Sequence, residues 1–225
     1  MAIDLVEKSK WVRRTALEMA IKSGRGHLGS AFSCVDILAN LFYGGIFRQG
    51  TDHFILSKGH ASLALYPILA DKGYFPMEEL QHFAEPGALL TEHPTNKIPG
   101  IDTTAGSLGH GLAIGVGIAL AKPDSNVYVL LGDGECDEGS IWEAVQFAGK
   151  HRILNLFPIV DANGYGATGK TESVPLEWVA IAMGMVHFKV EHTVKGAGVP
   201  FMEEAGWHHQ QMNAEQIALA REALK

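Results

Sequence analysis

Between residues 4 and 22 apolar side chains return at helical spacing, with Leu5, Val12, Ala16, Met19 and Ala20 on one stripe. Ser23-Gly24 stops this helix, and a glycine-rich loop from Gly24 to Gly29 follows. A second helix is predicted from about Ser33 to Tyr43, with Ser33 as N-cap and Asp36 in its first turn. Phe54-Ile55-Leu56-Ser57 predicts a short strand, then a loop at Lys58-Gly59-His60 and a helix to about Gly73. Residues 85–111, rich in Gly, Pro, Thr and His, show neither period. They are too long and irregular for a plain connector, which marks a binding loop.

Small apolar residues from Leu112 to Ala121 suit a helix packed tightly in an interior. Val127 to Leu131 is fully apolar and ends in Gly-Asp-Gly, the pattern of a buried parallel strand. Ser140-Ile-Trp-Glu143 has the form of a capping box and predicts a helix of about ten residues. Ile153 to Val160 is a second buried strand, ending at Asp161. Strand, helix, strand in this order predicts a right-handed crossover and a parallel sheet. The expected class is therefore α/β, a three-layer parallel sheet with helices on both faces. There is no internal repeat, low-complexity tract or interdomain linker, so residues 1–225 are expected to form a single domain.

At 225 residues, 47% of them apolar and 19% charged, the chain can bury one sizeable core. A net charge of −7 argues against a nucleic-acid backbone or an anionic membrane as partner. It leaves room for a small anionic ligand if a metal ion supplies positive charge locally. Cys34 and Cys136 make no disulfide framework and no ligand pattern, and read as packing residues. The N-terminus has acids where a signal peptide needs an apolar run, and no stretch approaches about 18 apolar residues. A cytoplasmic protein is the expectation.

In a parallel pair the C-terminal strand ends lie side by side, which is where open α/β sheets bind ligands. Asp133 and Asn163 stand just past two such ends. Mg²⁺ takes hard oxygen ligands, one or two of them from carboxylate or amide groups, with water and phosphate completing the set. Gly132 and Gly134 let the backbone approach a phosphate with no Cβ in the way. The competing structural reading takes Asp133-Gly134 and Asn163-Gly164 as hairpin turns. A helix, not a strand, is predicted after Gly134, and the residues to Gly169 are too polar and glycine-rich for a strand. Gly164-Tyr-Gly-Ala-Thr-Gly-Lys170-Thr171 also matches the P-loop pattern, and its first six residues match the dinucleotide fingerprint, with Glu191 near the place of a ribose-binding acid. Pro175 disrupts the helix a P-loop needs at Lys170-Thr171.

Eleven histidines are many for this length, and His27, His60, His93 and His110 all fall in irregular, glycine- or proline-flanked segments, with His208 a fifth near the end. Together they suggest a pocket that moves protons or contacts hydroxyls and phosphates near neutral pH.

In order, Ser23-Gly-Arg-Gly-His27, Ser57-Lys-Gly-His60, Glu92-His93-Pro94, Gly106-Ser-Leu-Gly-His110, Gly132-Asp-Gly-Glu135-Cys-Asp-Glu138, Asp161-Ala-Asn163-Gly, His192 to Val199 and Trp207-His208 span nearly the whole chain. This series resembles the N-terminal, thiamine-diphosphate-binding domain of transketolases. The resemblance implies that Asp133, Asn163 and the Tyr165 main-chain carbonyl hold Mg²⁺ (or Ca²⁺). It implies that Gly134, His60 and His208 contact the diphosphate, within a cofactor-binding set that also takes in Gly106, Leu108, Gly132 and Glu135. His27 and His93 would touch sugar oxygens, His110 would lie near the thiamine rings, and Glu138 would link two active sites across a subunit interface. The implied activity is transfer of a two-carbon ketol unit from a ketose to an aldose acceptor. A full-length transketolase continues into a pyrimidine-binding domain. The implied partner is therefore a C-terminal transketolase subunit, in a homodimer or heterotetramer. The stretch from Ser173 to Val190 is shorter than the family pattern by about one helix–strand–helix unit. The alternatives are a P-loop nucleotide hydrolase and a degenerate, non-catalytic assembly subunit.

Overall fold

Ile55, Leu131, Leu156 and Val160 are shut away from solvent, and they belong to a sheet whose strands all run the same way. The computed structural model describes residues 3–171, 176–203 and 207–225. In chain order its elements are α1 (Leu5–Ser23), α2 (Leu28–Tyr43), β1 (His53–Leu56), α3 (Ser62–Asp71), α4 (His110–Ala121), β2 (Val127–Gly132), α5 (Gly139–Lys150), β3 (Leu156–Ala162), α6 (Leu176–Ala182), β4 (Lys189–His192) and α7 (Ala214–Ala223). The expected α/β class with a parallel sheet is borne out. The chain divides into two compact units, residues 1–47, 60–101 and 194–225 in the first and 48–59 and 102–193 in the second.

The second unit holds the sheet, in the order β1-β2-β3-β4. Every residue of β2 is buried, as a strand flanked on both sides requires. Register places Leu56 beside Leu130 and Gly132 beside Asp161, so the C-terminal ends of β1, β2 and β3 lie together. Leu112, Val116 and Ala119 of α4 and Ile141, Val145 and Ala148 of α5 pack into the core with Val127, Val129 and Leu131. Only one face of α4 is buried. Ile114 and Leu120 are exposed, contrary to the expectation of a fully interior helix, because apolar composition says nothing about which faces find a partner.

Two boundaries differ here for side-chain reasons. β3 starts three residues later than the apolar run predicts, because Asn155 spends its amide on the carbonyls of Ala119, Lys122 and Ser125 and so ties down the loop before β2. α5 is not opened by a capping box. Its N-cap is Glu138, which makes no side-chain cap bond, while Ser140 donates instead to the Gly109 carbonyl at 3.0 Å.

In the first unit α1, α2 and α3 pack on one another, and α7 packs on α1. Asp4 caps α1 by accepting from the Val6 and Glu7 amides, and Gly24 ends it at φ +65°, which glycine adopts without strain. α2 begins five residues before the expected Ser33, which lies buried inside the helix. Gly29 explains the early start. A Cβ there would stand 2.3 Å from the Trp207 carbonyl oxygen, and its own carbonyl accepts from Gly196 N at 2.9 Å. The glycine marks a close backbone approach within a helix, where a loop was expected. Asp36, expected as a first-turn acid, is mid-helix and takes two hydrogen bonds from Arg13, at 2.6 and 3.2 Å. Burial pushes its carboxyl up, but the Arg13 hydrogen bond and charge hold it below the ordinary range. Cys34 and Cys136 are buried free thiols, as expected of packing residues.

Two glycines of α4 separate packing from propensity. A Cβ on Gly115 would meet Val129 Cγ2 at 2.7 Å, with Leu156 and Ile55 close behind, whereas one on Gly117 would meet nothing within 4 Å. Gly115→Ala is expected to destabilise the chain by about 1–3 kcal/mol through overpacking. Gly117→Ala should stabilise it by roughly 0.5–1 kcal/mol by removing glycine's backbone entropy. Urea denaturation of both variants checks this, and equal effects at the two positions would contradict the placement of α4.

Candidate functional site

The residues singled out from the sequence fall into two groups. Gly106, Leu108, His110, Gly132, Asp133, Gly134, Glu135, Glu138, Asn163 and Tyr165 belong to the second unit, and His27, His60, His93 and His208 to the first.

In the second unit the ends of β2 and β3 deliver Asp133 and Asn163 to one edge of the sheet. Asp133 accepts from Gly134 N at 3.0 Å on one oxygen, and from Gly164 N at 2.7 Å and Thr171 Oγ1 at 2.8 Å on the other. Asn163 is buried and its Oδ1 accepts from Tyr165 N at 3.1 Å. Residues 164–171 fold back as a tight hairpin, with Tyr165 bridged to Lys170, Gly166 N donating to Gly169 O and Thr171 N to Gly164 O. A Cβ on Gly134 would lie 3.2 Å from the Gly166 Cα, so glycine is what lets this hairpin close on the turn after β2.

This geometry bears on two sequence readings. The stretch judged too polar and glycine-rich for a strand holds none among the described residues: Tyr165 and Lys170 make a single antiparallel bridge, and Gly164 turns at φ +80°. The stretch does not form a P-loop. Lys170 and Thr171 lie in the hairpin, and the next described helix, α6, starts only at Leu176. Glu191, the candidate ribose-binding acid, is on β4 and is paired with Lys189. Ser173 to Pro175, including the proline weighed against the P-loop and the start of the stretch expected to be shortened, lie outside the described residues. From Leu176 onward, α6 leads to β4 with no strand between them.

The donor set fits a hard divalent cation. A carboxylate has about four lone-pair sites, and three hydrogen bonds leave Asp133 capacity for one metal bond, alongside an amide oxygen and a loop carbonyl.

Glu135 turns inward, and its side chain is held by the protein's own donors. It accepts from the Ser57 hydroxyl, from Gly109 N at 2.9 Å and from Gly132 N at 3.2 Å. Burial pushes its carboxyl above the ordinary range, against these three donors. Lys58, next to Ser57 in the chain, makes a buried ion pair with Asp161, which also accepts from Thr193 Oγ1. Neither Lys58 nor Asp161 was among the sequence candidates. The available signal was a lysine just past one predicted short strand and an aspartate at the end of another predicted to be buried. His110 is exposed at the start of α4, with Nδ1 3.2 Å from the Leu108 carbonyl, and Glu138 is exposed at the N-cap of α5.

In the first unit His27 sits at the centre of an imidazole cluster. Its ring lies 5.4 Å from that of His60, 6.0 Å from His93, 5.1 Å from His208 and 4.5 Å from His209. His208 Nδ1 is also 3.3 Å from Nζ of the buried Lys195. The clustering predicted for the loop histidines therefore holds for His27, His60, His93 and His208. His209 and Glu92 join it without having been singled out, because each reads in sequence as the polar neighbour of a candidate. Burial first, then the charges of His209 and His208, hold the His27 imidazole down at about 4, with Glu92 opposing and His93 adding.

A parallel α/β sheet with polar side chains gathered past adjacent strand ends belongs to the class of open α/β folds that bind ligands at that end of the sheet. Comparison with known proteins narrows it. The family model described as transketolase, thiamine diphosphate binding domain, matches residues 6–221. One of the subunits of the apulose-4-phosphate transketolase of Phocaeicola vulgatus is 35% identical, over 96% of this chain and 92% of its own. The 6-deoxy-6-sulfo-D-fructose transketolase subunit SqwG of a Clostridium species is 40% identical, over 78% of this chain and 68% of its own. Among solved structures, transketolase from Leishmania mexicana superposes with a TM-score of 0.90 at 22% identity, and that from Campylobacter jejuni with 0.89 at 25%. Each covers all of this chain, which spans only 42% and 43% of theirs. The chain belongs to the transketolase family, in its thiamine-diphosphate-binding domain. The alignment with the Phocaeicola protein runs over 260 positions against 225 residues here, so that relative carries segments with no counterpart in this chain.

Two outcomes test this geometry. Lys58→Met should cost about 3–5 kcal/mol in chemical denaturation, because it strands the buried Asp161 charge. A loss below about 1 kcal/mol, no more than an exposed pair is worth, would mean that Asp161 is solvated. For His27, the unfolded imidazole titrates near 6.5 and the folded one near 4, so in that window the unfolded chain binds the extra proton. This group's contribution to stability is therefore present above about 6.5 and is lost as pH falls towards 4. NMR titration should place its midpoint near 4 and show a rise in His209→Asn, and a midpoint near 6.5 would contradict the burial.

Proposed function

We propose that this chain is the cofactor-binding subunit of a split transketolase-type enzyme, acting with a second polypeptide that carries the pyrimidine-binding half. The reading is carried by one observation, the Asp133–Asn163 oxygen pair closed over by the 164–171 hairpin at the ends of β2 and β3, in a chain matched by the thiamine-diphosphate domain model almost end to end. Asp133 Oδ, Asn163 Oδ1 and the Tyr165 carbonyl would hold Mg²⁺, and Gly132 and Gly134 would leave room for a diphosphate oxygen. When bound, thiamine diphosphate supplies the carbon nucleophile for two-carbon transfer, and the protein supplies position and electrostatics.

This chain's own residues then have separate tasks. Glu135, tied to Ser57, Gly109 and Gly132, positions the turn on which Asp133 stands. His27, kept neutral by burial, can donate to or accept from a sugar hydroxyl, and the His93 ring lies 6.0 Å away as a second sugar contact. His60 and His208 take the phosphate contacts, and Leu108 and His110 flank the thiamine rings. Glu138 reaches a neighbouring subunit from its exposed place at the head of α5.

A partner is supported by the surface of the second unit. Ile114 and Leu120 on α4, Phe147 on α5, and Trp178 and Ile181 on α6 are all exposed, Trp178 to 76%. These side chains are available for contacts with another chain. The Phocaeicola and Clostridium relatives are both named as transketolase subunits, which supports the same division of labour. Phosphorylated or free sugars are the proposed substrates, and no helix among the described residues is long and apolar enough to cross a membrane.

A thermal-shift comparison of Mg²⁺ alone, Mg²⁺ with thiamine diphosphate and Mg²⁺ with ATP tests the reading. Thiamine diphosphate at 100 times its dissociation constant should stabilise the chain by about 2.7 kcal/mol, and Asp133→Ala should abolish the shift. A shift with ATP that depends on Lys170 would instead sink the proposal.

A further inference from the structure

His27, Glu92 and His209 each offer one ligand atom, and these three atoms lie within 4.8 Å of one another. His27 Nδ1 is 3.6 Å from Glu92 Oε1, and His209 Nε2 is 3.2 Å from the same oxygen. Zinc holds nitrogen and carboxylate ligands at about 2.0–2.2 Å in a tetrahedron, which puts neighbouring ligand atoms roughly 3.3–3.5 Å apart. Two of the three edges already have about that length, so modest side-chain rotation completes the face. The chemistry of the donors agrees. Two imidazoles and one carboxylate are the set that zinc and its neighbours in the transition series accept, whereas Mg²⁺ takes oxygens.

A second observation points the same way. His27 Nδ1 is buried and has no hydrogen-bond partner among the described residues. Buried polar atoms are normally satisfied, and an exception calls for an explanation. An atom that faces a carboxylate oxygen at 3.6 Å, too far for a hydrogen bond but right for a shared cation, has one.

We propose that His27, Glu92 and His209 form a binding site for a zinc-class divalent cation, with water as fourth ligand, chemically distinct from the oxygen pair of Asp133 and Asn163. The site combines the first turn leading into α2, the irregular segment after α3 and the segment before α7. Occupancy takes the lone pair of His27. On the functional reading above, and resting on it, the cation thereby fixes the His27 proton on Nε2 and leaves the ring able only to donate to a sugar hydroxyl.

The test is direct metal binding by the full, tag-free chain in excess Mg²⁺, which fills oxygen sites. Co²⁺ serves as the spectroscopic probe and Zn²⁺ as its competitor. One Co²⁺ per chain is expected, with the visible bands of a tetrahedral site, displaced by Zn²⁺. His209→Ala and Glu92→Gln should each weaken binding by about tenfold or more, since even outer-shell partners of a metal cost 10–100-fold. His151→Ala, an exposed histidine elsewhere in the chain, should leave it unchanged. Circular dichroism checks that each variant is folded, and the two ligand variants report independently. Undiminished affinity in both, or weak binding lowered equally by His151→Ala, overturns the proposal. Because no turnover is measured, this result stands apart from the thiamine diphosphate test, and either reading can fail alone.

Discussion

The ion pair of Lys58 with Asp161 is the constraint on which the sheet-end geometry rests. Both side chains are out of water, and desolvating two charges costs about as much as their attraction returns, so the pair adds little net stability over an apolar replacement. Once formed, however, neither partner can shift without leaving a buried charge alone. The end of β1 is thereby locked to the end of β3 around β2. Ser57, one residue earlier, binds Glu135 beyond β2, and Thr193 after β4 binds Asp161. Consecutive residues of one loop thus reach two acids, and the ends of all four strands are set by side-chain bonds as well as by the backbone ladder. The turn that carries Asp133 and the loop that carries Asn163 have little freedom left, which is the preorganisation that an ion site requires.

Two ligand chemistries are kept in different parts of the chain. The second unit presents carboxylate, amide and main-chain oxygens on rigid strand ends, suited to a hard cation and phosphate. The first unit presents imidazoles around a half-buried, neutral His27, suited to hydroxyl groups or to a softer metal. The proposed cofactor and sugar contacts would account for the first arrangement and for His27, His60, His93 and His208. His209 and Glu92 give the cluster a capacity for metal that the sugar chemistry does not call for.

Much of this is legible in the amino-acid order. Fully apolar runs ending in Gly-Asp-Gly and Asp-Ala-Asn suit buried parallel strands, and residues just beyond them then meet at one sheet edge. Asp133 and Asn163 therefore emerge from local pattern alone. The loop histidines emerge from their setting, since His27, His60 and His93 stand where no helical or strand period explains them. The errors share a cause. Local propensity favours Gly29 in a loop and Ser33 at a cap, yet Gly29 is helical so that the Trp207 carbonyl can approach. Propensity likewise makes Ser140 a cap, but its hydroxyl serves Gly109.

What the sequence determined by itself was the class of fold, the strand ends and the residue types able to hold a cation, because these follow from periodicity and from short-range chemistry. Only the tertiary structure decided the partners. Nothing in the order of residues says that Lys58 meets Asp161, 103 positions away, that Thr171 folds back onto Asp133, or that His209 meets Glu92 across 117 positions. Such pairings come from how packed elements bring remote side chains together, and a buried charge or an unpartnered nitrogen acquires its meaning only when its neighbours are known.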